Sequence, residues 1–250
     1  MSTQPEKSGG GTWTLEGVTR PPESTKPQAS EKARKFRLIV IAGLLVLVFS
    51  IAFMNIGREN ARANECIRHG QTIARAIAQF RDRNGFYPPA YTVDHQGRPL
   101  HSWRVLLLPY LGKNDLSMQI RHDEPWDSAF NQQFHHQMPV EFGCSGTLER
   151  RRGNTHWQVI VGPDTVFPPP GRIPRRLEDI ARPSNSVILL TEATPAVPWM
   201  APHDVRIDQL QNAGGTHGDS FVIVKLNGVA EIVHKQDMTP ERLRTMAVIR

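Results

Sequence analysis

Cysteine and histidine have the widest chemistry of the residues in this chain, and their number and spacing limit what they can do. The 250 residues include two cysteines, Cys66 and Cys144, and ten histidines. Two cysteines exclude a four-cysteine zinc site and a disulfide-dense scaffold. No two histidines have the spacing of a metal-binding pair on a predicted helix, and the adjacent His135 and His136 are poor ligands for one ion. The sequence therefore assigns no metal ligand and no cofactor.

Carboxylates offer weaker candidates for a site. Residues 123–127 contain three acidic side chains, but Ca²⁺ requires more oxygen ligands, and the Pro-Trp between them favours a structural loop. For His217 we expect a hydrogen bond to nearby backbone or to a carboxylate rather than a metal ion. No serine-hydrolase elbow, P-loop, dinucleotide fingerprint or zinc-protease helix occurs. The sequence therefore predicts no catalytic residue and no enzyme.

An apolar segment, residues 38–56, precedes all of these candidate residues, and it has 19 residues and no charge. As a helix it is about 28 Å long, close to the hydrocarbon thickness of a bilayer, so it predicts a transmembrane helix in contact with lipid. A cleaved secretory signal is the alternative, although its apolar core is shorter, about 7–15 residues, and residues 55–58 make a poor cleavage site. Basic residues before the segment place the N-terminus in the cytoplasm and residues from 57 onward outside.

The segment before the apolar stretch, residues 1–37, is predicted to be a disordered cytoplasmic arm. It has few bulky apolar side chains, and residues 13–15 are interpreted as ordinary tail rather than as a docking motif. The arm also carries +3 of the net charge of +6. The rest of the chain is therefore too weakly basic for a nucleic-acid surface, and no nucleic-acid partner is predicted.

Beyond the membrane segment, we expect helix to continue to about Arg83 and then a domain of short strands. Cys66, Gly70, Ile73, Ile77 and Phe80 share one side of this helix, which predicts an apolar stripe packed on the domain. Asn-Gly at 227–228, between the β-rich runs 221–226 and 229–233, predicts a hairpin with a type I′ turn. The domain is assigned to residues 57–240 and a C-terminal tail to residues 241–250.

The location of this domain bears on its two cysteines. Outside the cytoplasm, Cys66 and Cys144 can form a disulfide that ties the long helix to the sheet domain. Such a bridge would stabilise the fold by about 4 kcal/mol on the loop-entropy estimate. The alternative is two small, buried apolar residues.

Several segments between residues 60 and 235 carry unusual motifs in a fixed order. They are Cys66, residues 85–90, residues 101–111 with Trp103 and Pro109, residues 123–128 with Trp126 and Asp127, residues 142–146 with Cys144, residues 184–192 ending at Glu192, residues 198–204 with Trp199, and His217 followed after nine residues by Asn227 and Gly228. Together they resemble a bacterial family of membrane-anchored, pilin-like proteins of unknown function. This family is abundant in planctomycetes, is described as similar to the major type II secretion pseudopilin, and is sometimes labelled a solute-binding or transporter family.

The resemblance implies an α+β, pilin-like fold in which a long N-terminal helix packs its second half on a small antiparallel sheet. It also implies a single-pass protein of the bacterial inner membrane with a periplasmic C-terminal domain. Its expected role is a structural or interaction component of an envelope or secretion-type assembly, with protein partners bound through the transmembrane and amphipathic helix. Solute binding near Trp126 and Trp199 is the alternative, with the ligand unknown. Lys35 and Val40 replace the family's leader glycine and glutamate, so we expect the arm to be retained.

Overall fold

The computed structural model describes residues 30–144, 148–214 and 217–250. Residues 1–29 of the predicted disordered arm, which include residues 13–15, and residues 145–146 of the motif at residues 142–146 lie outside these ranges. The chain divides into two compact units, Met1–Ala52 and Phe53–Arg250.

The helices and strands follow in chain order. The helices are α1 (Glu31–Asn84), α2 (Trp103–Leu106), α3 (Asn114–Gln119), α4 (Leu148–Arg151) and α5 (Pro240–Ala247). The strands are β1 (Tyr91–Val93), β2 (Pro99–Ser102), β3 (Asn154–Gln158), β4 (Ile160–Val161), β5 (Ile188–Pro198), β6 (Val205–Arg206), β7 (Ser220–Lys225) and β8 (Ala230–His234). Short 3₁₀ turns lie at Leu108–Leu111, Asn131–Phe134, Val140–Phe142, Leu177–Asp179 and Leu210–Asn212.

The N-terminal part of α1 is long and apolar enough to cross a membrane. This stretch, Glu31–Asn55, has 25 residues, and none of its most apolar window is buried. A signal helix near an N-terminus would meet the same criteria, so the finding is compatible with a membrane anchor and does not by itself identify one. The helix begins at Glu31, seven residues before the predicted span, and Ser30 Oγ accepts a capping hydrogen bond from Ala33 N at 3.3 Å.

The second unit is built on a four-stranded antiparallel sheet in the order β3-β5-β7-β8. Leu190, Val222 and Val224 lie in one buried cluster with Ile73 and Ile77 of α1. This cluster confirms the predicted stripe, because its members on α1 are buried while Arg68, Arg75 and Gln79 are exposed. The architecture confirms the predicted α+β class, with a long N-terminal helix and a small antiparallel sheet.

Gly70 is where α1 comes closest to the sheet. A Cβ atom placed on Gly70 would lie 2.7 Å from Val224 Cγ2 and 2.8 Å from the Trp157 ring. Ordinary carbon–carbon contacts are about 3.5–4.0 Å, so only glycine fits at this separation. Gly70 lies one helical turn after Cys66, so the close approach of α1 to the sheet at Gly70 also places Cys66 next to the sheet.

The other face of the sheet is covered by the C-terminal helix. Phe221 and Ile223 of β7 cluster with Leu243 and Ala247 of α5, and Ile249 is fully buried. The assignment of residues 241–250 to a tail is therefore wrong. An antiparallel sheet with apolar residues on both faces must be covered on both faces. Helix α5 covers the second face because its few apolar residues are spaced so that they lie on one side of the helix.

The C-terminal hairpin forms as predicted, with a different turn. Phe221 pairs with Val233 and Val224 with Ala230 in the β7–β8 ladder. Gly228 N donates to Lys225 O at 2.8 Å and Lys225 N donates to Val229 O at 2.9 Å, which defines a three-residue loop rather than the predicted two-residue type I′ turn. Gly228 takes the left-handed conformation that such a loop requires, with φ of 82°.

Candidate functional site

Four side chains that are far apart in the sequence meet beneath α1. The cluster consists of Cys66, Cys144, Glu192 and His217, and one ligand-type atom from each lies within 4.8 Å of the others. Cys66 Sγ lies 3.2 Å from Cys144 Sγ, Cys144 Sγ lies 3.8 Å from His217 Nε2, and His217 Nε2 lies 3.4 Å from Glu192 Oε1. We refer to these four residues as the Cys-Cys-Glu-His cluster.

The loop that carries Cys144 is attached to both α1 and the sheet. His69 of α1 hydrogen-bonds the carbonyl of Gly143 through Nδ1 at 3.0 Å. Thr155 of β3 donates its hydroxyl to Phe142 O at 2.7 Å. These bonds hold the two residues that immediately precede Cys144, so the Cys144 sulfur is positioned against α1.

Glu192 and His217 come from neighbouring parts of the sheet. Glu192 lies on β5, on the face that packs against α1, and its Oε2 accepts a hydrogen bond from Val222 N at 2.8 Å. His217 lies just before β7, where it exchanges backbone hydrogen bonds with Ser220. The predicted contact of His217 with a carboxylate is therefore present, and the carboxylate is that of Glu192.

The cluster shifts the pKa of three of its members. The hydrogen bond donated by Cys66 lowers the pKa of the Cys144 thiol to about 6, and His217 acts in the same direction. The same hydrogen bond, followed by burial, raises the pKa of Cys66 above its ordinary value. Contacts with Cys144 and then Glu192 raise the pKa of His217 to about 10. At neutral pH these shifts favour a thiolate at Cys144 beside an imidazolium at His217.

The predicted disulfide is absent from the structure. Cys66 and Cys144 are brought together as the pairing requires, but they are unbridged and in hydrogen-bond contact. Their sulfurs lie 3.2 Å apart, which is longer than the 2.03–2.05 Å of a disulfide bond. The positions of the two cysteines in the sequence give no sign that Glu192 and His217 lie beside them.

The donor types in the cluster limit its chemistry. Two sulfurs, one imidazole nitrogen and one carboxylate oxygen are ligands that zinc accepts. A thiolate beside an imidazolium is also the arrangement of a cysteine nucleophile, but a nucleophile must be reached by its substrate. Cys66 and Cys144 are 0% and 2% exposed. Burial of both sulfurs favours a closed, structural site.

Two of the tryptophans singled out from the sequence belong to the core. Trp103 is fully buried and donates its indole N–H to Asp204 Oδ1 at 3.1 Å, while Trp199 is fully buried and donates to His135 O at 3.1 Å. Asp204 Oδ1 also accepts from Arg104 at 2.7 Å, in an ion pair whose side chains are 2% and 0% exposed. Trp103 and Trp199 belong to the same buried core as Cys66 and Cys144, and the Arg104–Asp204 pair is buried beside Trp103.

The other motif residues lie nearer the surface. Trp126 is partly buried and stacks on His135 with ring centroids 5.1 Å apart, and Asp127 is exposed. Pro109 lies at the start of the 3₁₀ turn after α2. Asn227 Oδ1 accepts from Val229 N at 3.1 Å, a bond within the hairpin loop. All four positions therefore have local structural roles in turns.

A cavity of about 580 Å³ lies elsewhere on the second unit. Its lining includes Tyr91, Pro169, His203 and Ile207, with Asp204 at its wall. Trp199 is fully buried, and neither Trp126 nor Trp199 lines this cavity, although the Trp126 ring contacts that of His203 with centroids 6.4 Å apart.

Fold and site together define a class of protein: an α+β domain in which the second half of α1 packs on an antiparallel sheet and encloses a Cys-Cys-Glu-His cluster, with a long apolar helix N-terminal to the domain. Residues 56–164 are similar to the family SBP_bac_10, described as a protein of unknown function (DUF1559). That segment contains Cys66 and Cys144, whereas Glu192 and His217 lie beyond it. No curated protein and no solved structure shows a significant match to the chain.

Proposed function

We propose that this protein is a single-pass protein of the bacterial inner membrane whose C-terminal domain lies in the periplasm. In this role it is a structural or interaction component of an envelope assembly of the pseudopilin kind, and not an enzyme. The observation that supports this proposal best is α1 itself. One helix of 54 residues begins with a fully exposed apolar stretch and ends in a half whose apolar side is covered by the sheet.

The charges beside the apolar stretch support the orientation. Lys32, Arg34, Lys35 and Arg37 precede it, and a cluster of Lys and Arg next to a span favours the cytoplasmic side. We expect protease added to spheroplasts to digest the C-terminal domain and to spare the N-terminal arm. A cytoplasmic marker protein must remain intact as the control. Digestion of the arm with survival of the domain would refute the orientation.

Protein partners are expected along the exposed side of the apolar helix. Phe49 and Phe53 are 80% and 77% exposed, so both side chains are accessible to a partner helix within the membrane. A photo-crosslinking amino acid at either position should give a protein adduct of discrete mass in intact membranes. The same group at the buried Ile77 is the control and should give none. Adducts with lipid alone at both phenylalanine positions would contradict the assembly role.

The cavity of about 580 Å³ supports solute binding as the second candidate. Its volume falls within the range of about 300–1,000 Å³ that is typical of small-molecule sites, and its apolar wall carries a few polar groups. A thermal-shift screen of the purified full chain against small solutes tests this candidate. A hit should disappear in Ile207→Trp, which fills the cavity, and should persist in the control Ile173→Trp, where the isoleucine is 85% exposed.

A further inference from the structure

The geometry points to a zinc site: Cys66, Cys144, Glu192 and His217 bind one Zn²⁺ as a closed, four-coordinate structural centre that clamps α1 to the sheet. This inference concerns the domain alone and does not depend on the membrane orientation or on any partner. The proposed role in an envelope assembly does not explain why these four residues lie together, whereas a zinc site does.

The distances within the cluster are close to those of a tetrahedral zinc site. Bonds of about 2.3 Å to sulfur, 2.0–2.1 Å to nitrogen and 2.0–2.2 Å to oxygen place two sulfurs about 3.8 Å apart, sulfur and nitrogen about 3.6 Å apart, and nitrogen and oxygen about 3.4 Å apart. The corresponding distances in the cluster are 3.2, 3.8 and 3.4 Å. Of these three pairs, the two sulfurs depart most from the zinc geometry and must separate by about 0.6 Å, and all four donor atoms lie within 4.8 Å of one another.

Burial of the cluster explains why a cation is needed there. Glu192 is fully buried on the sheet face that otherwise carries Leu190, Val222 and Val224. A buried carboxylate beside sulfur ligands is costly unless charges of opposite sign surround it. A divalent cation held by all four ligands supplies positive charge at the centre of the cluster, beside His217.

The ligands are positioned by neighbours that do not themselves coordinate. Val222 N binds Glu192 Oε2, which leaves Oε1 as the oxygen that faces His217. His69 holds the carbonyl that precedes Cys144. Metal ligands in proteins are oriented by such outer hydrogen bonds, so the cluster has both the donors and their supports.

The donor set also selects the ion. Two thiolates exclude Mg²⁺ and Ca²⁺, which take oxygen ligands, and one imidazole with one carboxylate is a poor match for Cu(I), which prefers soft ligands. Zinc accepts all three donor types in tetrahedral geometry. Four protein ligands leave no position for water, which distinguishes a structural centre from a catalytic one.

The main test uses the full chain, purified in detergent with a thiol reductant and stripped of metal by a chelator. Titration with ZnCl₂ should give about one ion per chain. At a free Zn²⁺ concentration a hundredfold above Kd, the melting temperature should rise by about 5–11 °C. Titration with CoCl₂ should produce the visible absorption of tetrahedral Co²⁺ together with thiolate-to-cobalt charge transfer.

Variants locate the ion without requiring that every one folds. Cys144→Ser, Glu192→Gln and His217→Gln should each weaken Zn²⁺ binding by more than the roughly 10–100-fold that loss of an outer-shell partner costs. His122→Gln, at an exposed histidine outside the cluster, is the matched control and should bind as the unmodified chain does. If a variant fails to fold, the cobalt spectrum of the unmodified chain still reports the ligand set.

Three results would overturn the inference. One is a reduced, metal-stripped chain that takes up no Zn²⁺. Another is binding that survives both Glu192→Gln and His217→Gln, which would mean that the sulfurs bind metal without the other two residues. The third is a cobalt spectrum without charge transfer, which would remove the cysteines from the site. Protein isolated with a Cys66–Cys144 disulfide, about 2 Da lighter by intact mass, would support the inference only if reduction restores uptake of one ion.

Discussion

Gly70→Ala is expected to destabilise the domain, although alanine favours helices more than glycine does. The new methyl group would lie 2.7 Å from Val224 and 2.8 Å from Trp157, so α1 must move away from the sheet by about 0.8–1 Å to restore ordinary contact. Overpacking of this kind costs about 1–3 kcal/mol. The gain in helix propensity from glycine to alanine, about 0.8–1.0 kcal/mol, opposes that cost.

A matched variant separates the two effects. Gly57→Ala makes the same change in the same helix, where an added Cβ meets nothing within 4 Å. Because the propensity gain is common to both variants, the difference in their free energies of unfolding measures packing alone. We expect Gly70→Ala to melt about 2–12 °C below Gly57→Ala, from 2–4 °C per kcal/mol for a domain of this size.

The assay is thermal unfolding of the full chain in detergent, followed by tryptophan fluorescence, since Trp157 lies at the contact. A second readout is Zn²⁺ affinity, which should fall in Gly70→Ala because Cys66 moves with its helix. Equal melting temperatures, or a more stable Gly70→Ala, would refute the argument that close helix–sheet contact sets the position of Cys66.

Three further predictions use the same unfolding assay. Asp204→Ala leaves the buried Arg104 charge uncompensated and should cost about 3–5 kcal/mol. Asp208→Ala breaks an exposed pair and should leave the melting temperature almost unchanged, and similar losses in both variants would contradict the distinction. Gly228→Val places a β-branched residue at a φ of 82° and should lower stability by about 1–2 kcal/mol or more, and an unchanged melting temperature would show that the loop rearranges. The chelator-treated chain should be about equally stable from about pH 6.5 to 9. The raised pKa of His217, from 6.5 to about 10, contributes stability that is complete below pH 6.5 and lost by pH 10. The lowered pKa of Cys144, from 9.0 to about 6, contributes stability that is absent below pH 6 and complete above pH 9. The two changes in stability with pH therefore cancel between pH 6.5 and 9, and above pH 9 only the loss of the His217 contribution remains. A steady fall in melting temperature across pH 6.5–9 would mean that the two groups are not paired.

The sequence was a good guide wherever a structural feature depends on neighbouring residues. The apolar stripe of α1 follows from side chains spaced at three and four residues, and the β7–β8 hairpin follows from two β-rich runs around Asn227-Gly228. The turn type was not predicted correctly, because one extra residue in the loop changes which hydrogen bonds close it. Local patterns therefore predict the presence of an element more reliably than the hydrogen bonds that close its turn.

The C-terminal helix shows a different limit. Residues 241–250 contain too few apolar side chains to indicate a packed element by themselves. Their helix forms on the face of β7 that carries Phe221 and Ile223, and the need to cover this face is visible only once the strands are paired.

The sequence by itself determined that the chain has an apolar helix, an amphipathic continuation and a small α+β domain, because periodicity and charge act over a few residues. It also singled out Cys66, Cys144, Glu192 and His217, each within its own motif. Only the tertiary structure decided that these four meet. Cys66 and Cys144 are 78 residues apart and Cys144 and His217 are 73 apart, and their final distances depend on strand register and on the close approach of α1 at Gly70. Such distances are set by packing of the whole domain, which no local pattern encodes.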